Sequence, residues 1–400
     1  MPGARDAPRP SRAAHALAHA FRLPRAAHAL AHAHATREPR AGSSASPLMR
    51  IAFLVSDVRT QQPSFGGIHL AWAAYRRGHE VRFVSSRDLS FLDDNTVLAT
   101  TMRVRAGDYR RPADYHSALL SSDSVREEDA LSSFDVIFLR YNPLREPAGE
   151  PPSPVIDFCW RLRLSGALVI NDPEGVRRAW GRLYLADLPS EVRARTVVSR
   201  SAEGIKAFLR ELDGPAVLKP LAHAGREKVF FLRRRQAKNL NAIISAITRD
   251  GYAVAQEYLP EAGAGEKRLL LLGGGPIRVG SQVALYRRLP SPQLHQHSSQ
   301  ATAGKPTALR SRRCKFGPAE QRLCDLLRPK LLADGLYFVS VDIAGDKILE
   351  LNVFAPGGLH SLREIYRIDV AAVIIRDLER RARLRAVYRG TLDPEVAGVV

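Results

Sequence analysis

Four hundred residues, 45% of them hydrophobic and 25% charged, hold enough apolar material for a large core and two or three domains, which excludes a disordered tail or a disulfide-stapled miniprotein. Sixty Lys and Arg against 41 Asp and Glu give a net charge of +19, which favours an anionic ligand or nucleic acid as partner. No run of about 18 uncharged apolar residues occurs, so a membrane span is excluded, and three cysteines in so long a chain fit a reducing, cytoplasmic setting.

Residues 1–48 consist mainly of Ala, Arg, His, Pro and Ser, with little to bury, and read as a disordered leader. Inside it RAAHALAHA occurs twice, as Arg12–Ala20 and Arg25–Ala33, which is too short for a repeat fold. Its histidines fit biased composition better than a metal site. An Arg-rich, acid-poor leader also resembles an organelle transit peptide. Met49, directly before the apolar run Ile51–Val55, is a simpler alternative start, and the body remains basic without the leader.

Ile51–Val55 reads as a buried strand, Ile68–Arg77 as a helix stopped by Gly78, and Val81–Val84 as the next strand, a β-α-β opening that implies a parallel sheet. From Arg87 to Ser133 the chain is polar and weakly patterned, and no element is assigned. Asp135–Leu139 is a clear strand that ends at Arg140-Tyr141-Asn142-Pro143, and strand ends of this kind often carry functional side chains. Ser153 as N-cap, Pro154 at the first helical position and Gly166 past the last turn bracket another helix, followed by the strand Ala167–Ile170. Asn171-Asp172-Pro173 then marks a domain boundary, giving an N-terminal α/β domain over 49–171.

Beyond it the pattern becomes α+β. Short strands are expected at Ala216–Lys219, Lys228–Leu232, Ala253–Glu257, Leu269–Leu272, Ile277–Leu285, Tyr337–Asp342 and Lys347–Val353, and helices at Gln236–Arg249 and Ala319–Leu332. Gly273-Gly274-Gly275 is a hairpin turn. No P-loop is present, and no Gly-rich turn follows the first strand, so neither common nucleotide fingerprint applies. This part is expected to span 172–385, with 386–400 as a tail.

Four sets of residues could carry chemistry. Glu350 and Asn352 project from one face of a strand, and Asp342 lies across a Gly345-Asp346 turn, which gathers three oxygen donors of the kind Mg²⁺ accepts. By spacing alone, solvated strand-edge acids remain the commoner explanation. Lys219 ends an apolar strand, where its ammonium could meet a phosphate or simply face water. Gln256-Glu257-Tyr258-Leu259-Pro260 joins two groups of strands; its backbone could bond a purine edge walled by Tyr258 and Leu259, or the segment could be core. Glu266 opens the next strand with an acid suited to ribose hydroxyls.

Taken together and in order, these pieces resemble the bacterial glutathione synthetase family of the ATP-grasp superfamily. The likeness runs from about Arg50 to about Arg380 and is strongest at DVIFLRYNP (Asp135–Pro143), Gly166–Asn171, VLKPL (Val217–Leu221), Gln256–Pro260, EKRLL (Glu266–Leu270), Arg288-Leu289-Pro290 and FVSVDIAGDKILELNVFAP (Phe338–Pro356). It implies an N-terminal Rossmann-like pre-ATP-grasp domain followed by a two-subdomain α+β ATP-grasp fold. By the same resemblance Lys219 and Arg182 face ATP phosphates, Glu257, Tyr258 and Leu259 form the adenine hinge, and Glu266 contacts ribose. Arg268 and Arg288 are then active-site cations, Asp342, Glu350 and Asn352 the Mg²⁺ set, and Arg140 and Asn142 substrate residues. The implied activity is ATP- and Mg²⁺-dependent ligation of a carboxylate to an amine, with γ-glutamylcysteine and glycine as the named pair and a homo-oligomer as the assembly.

The departures from the family pattern are local. The Gly-rich phosphate loop is replaced by Ala222-His223-Ala224-Gly225-Arg226-Glu227, the expected lysine by Arg182, an Asp by Asn142, and the Arg-Gly-Asn stretch by His295–Gly304. These leave open a ligase for another amino acid or peptide, or a nucleotide-binding module that has lost catalysis. A nucleic-acid role is less favoured, because the basic runs Arg233–Arg235 and Arg310–Lys315 lack interleaved aromatics.

Overall fold

The computed structural model describes residues 48–141, 153–212, 214–221, 229–232, 239–249, 251–289 and 310–387. Most of the leader, Asn142, the replaced phosphate loop, Arg233–Arg235 and His295–Gly304 lie outside them.

The first sheet is built from β1 (Arg50–Val55), β2 (Glu80–Phe91), β3 (Val97–Arg103), β4 (Val125–Ala130), β5 (Val136–Arg140) and β6 (Leu168–Ile170), in the order β4-β3-β2-β1-β5-β6. The strands β2, β1, β5 and β6 run parallel, as the β-α-β opening predicts, and β3 and β4 extend the edge antiparallel. Ile51–Val55 is buried throughout, which is why a central strand covered on both faces reads as an unbroken apolar run. Helices α1 (Gly66–Arg76), α2 (Pro112–Leu120) and α3 (Ser153–Leu164) accompany this sheet, and Gly78 and Gly166, both at positive φ, end the first and third.

The unassigned stretch 87–133 holds β3, α2 and β4. It lacked an apolar pattern because β4, Val-Arg-Glu-Glu-Asp-Ala, is held by charge. Arg82 pairs with Glu127 at 2.6 Å and Arg50 with Asp129 at 3.2 Å.

After the short helix α4 (Pro173–Arg178), a second sheet forms from β7 (Thr196–Ser199), β8 (Ala216–Pro220), β9 (Phe230–Leu232) and β10 (Ala253–Glu257), ordered β7-β10-β8-β9 and antiparallel throughout. Helices α5 (Ala202–Leu212) and α6 (Leu240–Thr248) cover it with a core of its own, including Ile205, Phe208, Leu218, Ile244 and Ile247.

The third sheet begins with β11 (Glu266–Leu272), which turns at Gly273-Gly274 into β12 (Gly275–Pro276). The single strand expected at Ile277–Leu285 is instead three pieces: β13 (Arg278–Val279) pairs with β14 (Gln282–Val283) around Gly280, which needs positive φ, and β15 (Leu285–Arg288) starts anew. With β16 (Ser311–Arg313), β17 (Phe338–Ala344) and β18 (Lys347–Asn352) the order is β16-β15-β11-β17-β18, antiparallel. Leu269, Leu271, Val339 and Val341 bury one face in a cluster with Leu323, Leu327 and Leu331 of helix α7 (Pro318–Ala333). Helices α8 (Leu359–Tyr366) and α9 (Val370–Val387) return to the first domain, where Leu362, Ile374, Ile375 and Leu378 share a core with Phe53, Ile68 and Trp72. Arg77 and His79 both bind the buried Glu379 of α9, at 2.6 and 2.9 Å.

The segment that sequence marks as a boundary is an interlocked joint. The buried Asn171 side chain donates through Nδ2 to Phe338 O (2.8 Å) and Val353 O (2.7 Å) and accepts Phe338 N–H through Oδ1 (2.7 Å). Asp172 caps α4 and donates its own N–H to Gly335 O. At Gly175 a β-carbon would lie 1.8 Å from Asp334 O, so only glycine lets α4 approach so closely. Asn171→Ala strands three buried backbone groups and should cost about 3 kcal/mol in denaturant unfolding. A loss below about 1 kcal/mol would show that the joint does not rest on this side chain.

Candidate functional site

Strand pairing places Arg268, Asp342 and Glu350 in one row across β11, β17 and β18, with Tyr286 of β15 opposite Arg268 on the other side. Residues two apart share a face, so Glu266, Arg288 and Asn352 lie on the same face as that row. The Asp342 carboxylate is 1% exposed and receives Arg268 through both Nε and Nη2 at 2.7 Å, a bidentate pair. Its Oδ2 also accepts from Arg288 Nη2 at 2.6 Å and from Asn352 Nδ2 at 3.4 Å. The same Arg288 Nη2 donates to Glu266 at 2.6 Å. Burial works against the charge of Arg268, but the attraction and hydrogen bonds of Asp342 outweigh it, so its pKa is raised.

Asp342, Glu350 and Asn352 offer two carboxylates and a carboxamide on neighbouring positions of one face. These are the hard oxygen donors that Mg²⁺ prefers, and three of them leave coordination positions for water and phosphate, so the residues fit that ion. Glu350 is exposed at the strand edge. Among the described residues, no cluster of three His, Cys, Asp or Glu side chains forms a metal site by itself.

Lys219 stands on β8 of the second sheet and donates through Nζ to Gln256 Oε1 at 2.9 Å, while Gln256 Nε2 donates to Thr196 at 3.0 Å. This chain of hydrogen bonds fixes the ammonium from the strand beside it. In the linker, Glu257 N–H is bonded to Arg195 O and Tyr258 N–H to Pro215 O. Tyr258 stacks edge-on against Phe231 at 4.7 Å, and Leu259 is buried with Ala194 and Ala344. The linker is therefore partly core, and two of its N–H groups are committed to neighbouring segments. Arg182 opens a 3-10 helix, Arg182–Asp187, after α4.

Arg140 ends β5 with its side chain 6% exposed as a residue. Its Nη2 donates to Pro356 O at 2.8 Å, and its guanidinium lies over the Phe338 ring at 5.7 Å. Among the described residues, Nε and Nη1 have no partner, and burial pushes the group down to about 9. A buried cation without an acid beside it is costly unless an anion completes it. Pro356 belongs to the turn that follows the Asn352 strand, and a β-carbon on the next residue, Gly357, would lie 3.4 Å from Arg268 Nη1. The turn thus has Arg140 on one side and the Asp342 row on the other.

Two features escaped the sequence reading. Glu266 and Arg288 are directly paired across β11 and β15, which a ribose role for one and a phosphate role for the other did not suggest. His69, on the first turn of α1, is 3% exposed with Nε2 unpartnered among the described residues. No spacing signal marks it, because it falls among the apolar residues of a helix.

A lysine at a strand end, a linker between antiparallel sheets and a face of acids and arginines fit the class of ATP-grasp ligases. The match to known proteins is consistent with that class and narrows it. Residues 49–177 match the N-terminal domain of prokaryotic glutathione synthetase and residues 181–367 its ATP-grasp domain, and the chain belongs to the prokaryotic glutathione synthetase family. Glutathione synthetase of Thermosynechococcus vestitus is 35% identical over 80% of this chain and 96% of its own. That of Nostoc sp. is 28% identical over 84% of this chain and all of its own. Among solved structures, D-cycloserine synthetase DcsG shares the fold at a TM-score of 0.54 and 17% identity, covering 83% of this chain and 99% of that one.

Asp342→Ala leaves Arg268 and Arg288 facing each other without their shared acid. It should destabilise the protein by about 3–5 kcal/mol in chemical denaturation, whereas a midpoint within error of the unaltered chain would mean that the arginines are paired elsewhere.

Proposed function

We propose that this protein is an ATP- and Mg²⁺-dependent carboxylate-amine ligase that forms an amide bond through an acyl phosphate, with γ-glutamylcysteine and glycine as the substrate pair to test first. The observation that carries the reading is the row Arg268–Asp342–Glu350 with Arg288 and Asn352, which sets two guanidiniums against a hard-oxygen face on adjacent strands. Family membership supports the same assignment.

In this reading Lys219 holds ATP phosphate from the second sheet, and Asp342, Glu350 and Asn352 hold Mg²⁺ at the third. Bound Mg²⁺ supplies charge neutralisation on the triphosphate. Arg268 and Arg288, which share Asp342 in the structure, can turn one or more N–H groups to phosphate oxygens once a triphosphate competes for them. Arg140 orients a substrate carboxylate. The donor carboxylate oxygen attacks the γ-phosphorus and ADP leaves. The amine then adds to the acyl carbon and phosphate departs, carrying that oxygen. The cations stabilise the charge that builds on the transferring phosphoryl group.

A ligase for a different amino acid or peptide is the second reading, favoured by Asn142 and by the sequence His295–Gly304, which replaces the family's substrate-holding stretch.

ADP release with γ-glutamylcysteine and glycine, then with a panel of amino acids and dipeptides, separates the two. In either case Lys219→Ala and Glu350→Gln should each lower Mg-ATP-dependent turnover about 10²-fold or more. Unchanged ADP release in both variants removes the ligase assignment.

A further inference from the structure

The first turn of α1 lies beside two buried side chains, Arg140 and His69, with polar atoms that no described residue satisfies. The helix starts at Gly66-Gly67, and its N-cap, Phe65, offers no side-chain hydrogen bond to the open N–H groups. A β-carbon on Gly66 would lie 2.8 Å from Arg140 Nη2, 3.3 Å from Pro356 O and 3.6 Å from Leu359, so glycine here admits the guanidinium against the helix end. Three residues on, and hence on the same side of the helix, His69 faces α8, its ring 5.5 Å from that of His360, the neighbour of Leu359.

A neutral imidazole keeps one nitrogen as an acceptor; the tautomer protonated on Nδ1, which the Pro63 backbone favours, makes that acceptor Nε2, the ring nitrogen without a partner among the described residues. Burial, then His360 and Arg363, push the ring down to about 4 against a smaller opposing pull from Asp369, so it is neutral at pH 7. A neutral ring can accept a hydrogen bond from a cation; a charged one could only repel it.

The region therefore presents an anion receptor, made of the helix N-terminus and Arg140, which has no acid beside it among the described residues, one helical turn from a buried acceptor. Those are the complements of a carboxylate and an ammonium. We infer that the first turn of α1 reads the free amino-acid end of the carboxylate substrate, its α-carboxylate on Arg140 and the Gly66-Gly67 N–H groups, its α-amino group on His69 Nε2. This rests on the ligase reading and makes His69 a specificity-determining residue.

The test compares γ-glutamylcysteine with glutarylcysteine, which lacks only the α-amino group, each with glycine, Mg²⁺ and ATP. The unaltered protein should prefer the amino form by about tenfold or more in kcat/KM, since a site built around a donor rejects an analogue without it. His69→Leu should bring that ratio close to one with little change in KM for ATP, and His69→Gln, which keeps an acceptor, should restore part of it. If His69→Leu fails to fold, His69→Gln and the unaltered protein still decide the matter. A ratio near one in the unaltered protein, or an unchanged ratio in folded His69→Leu, overturns the inference and leaves the ligase reading standing. If the unaltered protein releases no ADP with either compound or with the wider panel, the ligase reading falls and this inference with it.

Discussion

Asn171 holds the first and third sheets in one register. Its side chain spends both its donors and its acceptor on main-chain groups at the start of β17 and just past β18. Arg140 ends the strand next to β6, and Asp342 and Asn352 lie on the two strands that Asn171 grips. Arg140 on the first sheet and the acid row on the third are thus tied through a single amide, and the glycines at 175 and 335 allow the segments to meet closely enough for it to reach. Reaction between two bound groups depends on such fixed spacing, because a displacement of about 1 Å in reacting atoms can cost about 10²-fold in rate.

The arginines divide by what surrounds them. Arg268 and Arg288 are paired with acids within the fold, sharing Asp342 and, for Arg288, Glu266. Among the described residues, Arg140 has a backbone carbonyl and an aromatic face but no acid. Paired cations can change partners when phosphate arrives, whereas an unpaired buried cation awaits an anion permanently. In the proposed reaction the first kind suits a group that gains and loses charge at each turnover. The second suits a substrate carboxylate that stays bound throughout.

The residues that were legible in sequence were those whose neighbours are close along the chain. Ile51–Val55, Asp135–Leu139 and the hairpin of Asp342 with Glu350 and Asn352 announce themselves by apolar runs and a Gly345-Asp346 turn, and the structure places them as read. The α/β class and the ATP-grasp architecture followed from these together with family likeness. The pairing of Arg268 with Asp342 was not legible, because it depends on β11 meeting β17 across 74 positions, and register between distant strands leaves no local mark. The strand β4 was hidden by its charges, which cross-strand arginines satisfy. Helices α5, α8 and α9 were left unassigned although each buries an apolar stripe, and Asn171 was read only as a break in the pattern.

In the proposed reaction a substrate carboxylate is activated by phosphorylation at the acid and arginine row. This step is tested most directly by following oxygen. With γ-glutamylcysteine labelled with ¹⁸O in the cysteinyl carboxylate, or the corresponding acid found by the panel, and with unlabelled ATP, Mg²⁺ and amine, mass spectrometry of the released phosphate should find one ¹⁸O per amide bond formed. Unlabelled phosphate alongside product, or release of AMP and pyrophosphate, would contradict it.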